Sequence, residues 1–133
     1  MPEDCGQLGV FHFEEDRGSF EGLGIENGQE AWNARALMKW LGYESWSLFF
    51  NAINRAIGTC TTLGIPVAEN FIQVASTEGD DFKLSRFACC LVALNGDVKK
   101  PRVAAAQAYF VSLAEIVRRY LRSAQGITVR LLH

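Results

Sequence analysis

The sequence predicts an α+β fold, a single mostly helical domain with a small antiparallel sheet and a helix-turn-helix-like helix pair. Three observations predict it. Apolar residues recur at helical spacing over residues 46–60 and 103–121. Alternating segments are short and sit near the ends, and Asn27-Gly28 supplies two positions that favour the positive φ of a two-residue hairpin turn. The length, 133 residues, suffices for one core and not for two independent ones. Within one domain over residues 1–133, residues 1–18 form an acidic N-terminal segment, 19–33 a hairpin, 34–123 a helical body and 126–133 a closing strand.

Residues 1–7 read as a tail. Residues 8–13 alternate as a strand, with Val10 and His12 on one side and Phe11 and Phe13 on the other, before the charged loop EEDRGS. Residues 20–25 form one hairpin strand. Residues 29–32 form the return and deliver the chain to Asn33, whose short side chain can cap the next helix by accepting from its free N–H groups. Residues 35–40 continue that helix. Gly42 stops it, because the position just past a helix end often takes positive φ. Ser45 caps the second helix, in which Trp46, Phe49, Phe50, Ile53, Ile57 and Cys60 share an apolar face. Ser47, Asn51, Asn54 and Arg55 lie opposite. The helix ends near Thr62, with Gly64 as its stop and Pro66 preventing resumption.

Residues 67–74 read equally as a short helix or a strand, and STEGDD reads as a turn-rich loop. Residues 83–94 repeat apolar positions at Leu84, Phe87, Ala88, Leu91 and Leu94, which predicts a central helix buried on most sides and ended by Asn95-Gly96. Pro101 suits the first turn of the last helix, where its missing N–H costs nothing. Val103, Ala106, Phe110, Leu113, Val117 and Leu121 line one face of it. Arg118, Arg119 and Arg122 crowd its last turns, where cations complement the helix dipole, and Glu115 is spaced to pair with Arg118 or Arg119. Residues 127–131 then alternate as the closing strand.

Composition excludes several classes. With 49% hydrophobic and 21% charged residues the chain is an ordinary globular one, and no apolar run approaches bilayer length. The N-terminus, MPEDCGQLG, lacks the basic start and apolar segment of a secretory signal, so a cytoplasmic location is expected. Cys5, Cys60, Cys89 and Cys90 include no CxxC. His12 and His133 lie at opposite ends, so the expectation is buried reduced thiols, no metal and no cofactor. Charge is uneven. Residues 1–30 hold eight acidic groups and one basic one, and residues 31–133 hold seven and twelve. A basic body behind an acidic segment hints at an anionic partner.

No catalytic set emerges: there is no phosphate loop, no HExxH and no spaced Ser–His–acid group. His12 reads as structural, and Asp80 with Asp81 as a solvated turn. The expectation is a protein that is not an enzyme and takes no small-molecule substrate. Binding is better supported. A short helix, a Gly-containing turn and a second helix with a polar outer face have helix-turn-helix organisation, and Asn51, Asn54 and Arg55 could meet base edges or phosphates. The same arrangement equally serves any small α protein turning a corner. Lys99, Lys100 and Arg102 at one end of the last helix and Arg118, Arg119 and Arg122 at the other are suited to phosphates, although taken alone they read better as a solvated helix surface.

The run GQEAWNARALMKWLGYESWSLF, residues 28–49, resembles the signature of the DNA-damage-inducible protein D (DinD) family, itself similar to the Bro-N domain of phage antirepressor-like proteins. The resemblance returns at Asn70-Phe71, at LSRFACCLVALNGD (84–97), and at Val103-Ala104 and residues 107–110. Its signature positions here are Trp32, Arg35, Leu41, Gly42, Tyr43, Ser85, Arg86, Asn95, Gly96, Asp97 and Gln107. Trp32, Leu41 and Tyr43 look like packing, whereas Arg35, Arg86, Asp97 and Gln107 are polar, and an Arg–Asp pair joining helices is as plausible as a ligand site. The resemblance implies a bacterial or phage protein of damage response or prophage regulation. It would associate with DNA, or with a protein of DNA metabolism, and self-association through the long helix would make it a homodimer. Two departures stand out: the short acidic STEGDDFK where the family has a longer basic insert, and the absence of a further C-terminal region.

Overall fold

A computed structural model describes residues 20–26 and 29–124. The element order is α1 (Phe20–Leu23), β1 (Ile25–Glu26), β2 (Gln29–Glu30), β3 (Trp32–Asn33), α2 (Ala34–Trp40), α3 (Trp46–Leu63), α4 (Val67–Asn70), β4 (Phe71–Ser76), β5 (Gly79–Leu84), α5 (Arg86–Leu94) and α6 (Pro101–Ala124). This is the mostly helical α+β architecture the periodicities predict. The strand and loop over residues 8–18, the Asn27-Gly28 turn itself and the closing strand over 126–133 lie outside the described residues.

The sheet differs from the expected one. β1 and β2 pair antiparallel, with Glu26 opposite Gln29, as a two-residue hairpin requires. Residues 20–23, however, are a helical turn rather than strand. The principal sheet has the order β3-β5-β4 and is built mainly by a hairpin inside the segment read as the helical body. STEGDD is therefore its turn and outgoing strand: Ser76 pairs with Gly79 and Phe71 with Leu84, in one unbroken antiparallel register. Both readings of residues 67–74 are realised in succession, α4 and then β4.

The helix boundaries follow local chemistry. α2 ends in a Schellman motif. Gly42 takes φ 90°, Gly42 N–H donates to the Lys39 carbonyl at 3.1 Å, and Tyr43 N–H donates to that of Met38 at 3.0 Å. Ser45 caps α3 by accepting from Leu48 N–H, and Gly64, at φ 75°, ends it. Ser85 caps α5, so that helix begins at Arg86, with Lys83 and Leu84 still in strand. Asn33 stands at the N-cap of α2, but its side chain makes no capping bond. The cap comes from across the sheet instead. Asp81, only 5% exposed, accepts from Arg35 N–H at 3.0 Å and from Phe82 N–H at 2.8 Å. A carboxylate satisfies two donors at the positive end of a helix, so Asp81 is a buried fastener rather than a solvated turn residue.

The core gathers Phe20, Trp32, Trp40, Phe49, Ile53, Cys60, Val92, Val103 and Phe110 between the helices and the sheet. Phe20 stacks on Trp32 at 4.6 Å between ring centroids, and Trp32 Nε1 donates to the Phe20 carbonyl at 2.7 Å. α5 lies between α3 and α6. It buries Ala88, Cys89, Val92 and Ala93, whereas Phe87 and Leu94 are exposed. The helix is central, but its buried face is the small-residue one, because close helix approach favours alanine over phenylalanine at the seam.

Candidate nucleic-acid interface

The signature residues are joinery. Arg86 reaches back to the first helical turn, donating to both carboxylate oxygens of Glu21 and to Glu30 at 3.0 Å, while its guanidinium lies over the Trp32 ring at 5.4 Å. Tyr109 of α6 donates to the same Glu21 carboxylate at 2.8 Å. The Arg86 hydrogen bond holds the Glu21 carboxyl below its ordinary range, against the opposing effect of burial and with help from Tyr109. The same bond, followed by Glu30, holds Arg86 protonated more firmly than usual. Arg86 thus pairs with glutamates and not with Asp97.

Arg35 Nε donates to the Asp80 carbonyl at 2.8 Å, and its guanidinium stacks over Trp46 at 4.2 Å. Ser85 Oγ donates to Asn70 Oδ1 at 2.5 Å, and Gln107 Nε2 to the Ala93 carbonyl at 2.9 Å. Burial raises the Cys89 thiol well above its ordinary value and that of Cys90 less so, which leaves both as inert thiols.

A further set of contacts organises the basic start of α6. The loop between α5 and α6 is held from three sides. Arg55 Nη2, on the polar face of α3, donates to the Asn95 carbonyl at 2.7 Å. Tyr43 Oη accepts from Asp97 N–H at 2.8 Å. A Cβ on Gly96 would stand 2.9 Å from Val103 Cγ1 and 3.2 Å from Tyr43 Oη, so only glycine lets the strands of chain approach this closely. Asp97 then folds the next turn, accepting from Lys99 N–H through its carboxylate at 3.0 Å and from Lys100 N–H through its carbonyl at 3.0 Å.

Lys100 lies over the Tyr43 ring at 5.1 Å. Lys99, Lys100 and Arg102, with Leu41 and Gly42, line an open cleft of about 490 Å³. Asn51 and Asn54 are exposed on the same helix as Arg55. Of the residues read as nucleic-acid contacts, Arg55 is bonded to the loop that leads to Lys99, Lys100 and Arg102, and Asn51 and Asn54 are exposed on its helix. Arg118, Arg119 and Arg122 stand apart, exposed near the far end of α6, where the first two share Glu115 at 3.3 Å each.

The sequence shows both basic clusters and their suitability for phosphates, but not that the loop leading to Lys99, Lys100 and Arg102 is tied to α3 through Arg55. The signal that could have joined them to α3 was weak: Arg55 is one arginine among several facing solvent. Asp81 gave no signal at all, since its neighbours Asp80 and Gly79 are ordinary turn residues. Among the described residues no group of three His, Cys, Asp or Glu side chains is placed to hold a metal, and no helix is long and apolar enough to cross a membrane.

The chain is similar to DNA damage-inducible protein D of Escherichia coli (strain K12), with 39% identity over 93 residues that cover 63% of this chain and 34% of the relative. The resemblance to DinD is thereby shown, and the chain spans about a third of the curated relative's length. The similarity lends no support to the Bro-N side of the resemblance. No family model and no solved structure matches the chain.

Proposed function

Taking the DinD-like character of the chain as its premise, we propose a non-catalytic, DNA-associated regulator of the damage-response type rather than of the prophage-antirepressor type, since the named relative is a damage-inducible protein. The observation that carries the reading is the cleft lined by Lys99, Lys100 and Arg102, reached by a loop to which Arg55 of α3 is bonded, with Asn51 and Asn54 exposed on that same helix. Lys99 is exposed at this cleft and Lys100 and Arg102 half-exposed, on and beyond a loop that two hydrogen bonds and the close packing of Gly96 hold in place. Amides and guanidinium groups donate to phosphate oxygens and base edges, and lysines neutralise phosphates. A second reading, a module that modulates a protein of DNA metabolism without touching nucleic acid, is favoured by exposed Phe87, Leu94 and Val98 on and beyond α5.

Fluorescence anisotropy with labelled single- and double-stranded DNA across a salt series decides between them. The DNA reading expects affinity that falls steeply with salt, and a slope reduced by about two charges in K99E/K100E. It also expects the R118E/R119E/R122E variant to lose less affinity than K99E/K100E; the reverse order moves the contact to the end of α6. Absence of binding at low salt overturns the DNA reading in favour of the protein-partner one.

A further inference from the structure

α6 carries one apolar stripe along its whole length, and the body covers only part of it. Val103, Ala106 and Phe110 are buried, but Ile116 is 49% exposed, Val117 54% and Tyr120 69%. At 3.6 residues per turn, Val103, Ala106, Phe110, Leu113, Val117, Tyr120 and Leu121 stay within about 60° of one azimuth. Their spacing from Val103 to Tyr120 is 3, 4, 3, 4 and 3, the rhythm of a helix seam. Arg118, Arg119 and Arg122 fall roughly 100–200° away from that azimuth. The stripe that docks on the body therefore runs on beyond Phe110 for roughly 16 Å, at the same angle and free of charge.

We propose that this overhang is covered by the overhang of a second copy, in an antiparallel helix pair. Three arguments choose this occupant. The seam is continuous with the intramolecular interface, so the partner helix takes up the place the body leaves. Pairing along it buries no arginine, which stay on the outer faces. The area also suits: the exposed apolar side chains offer on the order of 500 Å² per copy and roughly 1,000 Å² per pair, the lower limit of a specific interface.

The direction follows from where the body sits. It occupies the seam side of α6, so a parallel pair would force two bodies into the same space. An antiparallel pair places each body beyond the end of the partner helix and sets Val117 against the partner's Tyr120.

Sedimentation equilibrium of the full chain tests this. The apparent mass is expected to rise toward twice the monomer's with concentration. V117E/Y120E should weaken association by about a hundredfold or more, because four charged groups would enter one apolar seam. At dilutions where both proteins are monomeric its melting temperature should match the parent's, since both residues are exposed in the monomer. R118E/R119E/R122E should dimerise as the parent does. Small-angle scattering of the dimer should give an elongated, two-lobed particle, and a compact one overturns the antiparallel arrangement. A monomer throughout the concentration range overturns the proposal. So does a V117E/Y120E variant that still dimerises, or a monomer in which Tyr120 is shielded from a soluble quencher by the chain's own residues.

Discussion

The near and far halves of α6 have the same apolar periodicity and opposite fates. The near half is clipped to the body by polar bonds as well as packing: Gln107 to the Ala93 carbonyl and Tyr109 to Glu21. The far half has Val117, Tyr120 and three arginines in solvent, and among the described residues Arg118 and Arg119 pair with Glu115 of the same helix. The difference teaches that periodicity names the face a helix wants covered but not what covers it. The cover is specified by directional fasteners, and those come from distant parts of the chain.

The contrast can be tested through stability. The largest expected loss is for Trp32→Ala, which deletes the stacking partner of Phe20 and an indole hydrogen bond in a fully buried site. Urea unfolding should show a loss of about 4 kcal/mol. Next comes Asp81→Ala, which strands two backbone donors and should cost about 2 kcal/mol, whereas Asp81→Asn keeps an accepting oxygen and should cost less. A larger loss for asparagine than for alanine would show that the site tolerates no amide and would break the capping account.

A smaller effect belongs to Glu21. Its carboxyl is held below the ordinary value of 4.5 by Arg86, so its contribution is fully present above that value and is lost as pH falls through the lower folded-state value. Both side chains are 38% exposed, which limits the contribution to about 1 kcal/mol. Thermal melts between about pH 2 and 6 should show a shallower acid decline in Glu21→Gln. Changes on the far half of α6 complete the series, with stability shifts below about 0.5 kcal/mol while association changes.

Much of the helical framework was legible in the sequence because its signals are local. Ser45, Gly42, Gly64 and Pro101 act within a few residues of themselves, and each marks a real boundary. The strand pair over residues 71–84 was missed because its acidic turn resembles a solvated loop, and its pairing partner β3 lies far back in the chain. The buried face of α5 was misjudged for a related reason: Phe87 and Leu94 are more hydrophobic than Ala88 and Ala93, but seam width, a tertiary property, selects the small residues. At the candidate interface, the residue types were readable while their neighbourhood was not. The bond from Arg55 to Asn95 spans 40 positions and depends on α3 and α5 lying side by side.

The β4 strand has a consequence for the chain in crowded solution. FIQVAS carries no charge, no proline and no bulge, and within the described residues it has a neighbour on one side only. Next to it runs an apolar groove of about 540 Å³ lined in part by Ile57, Ile72 and Phe82. Natural sheets usually blunt such an edge with a lysine or a kink, because an uncharged, regular one is a template for any extended chain. During synthesis and refolding, before the helices close over the opposite face, this segment is where chains would nucleate insoluble cross-β material.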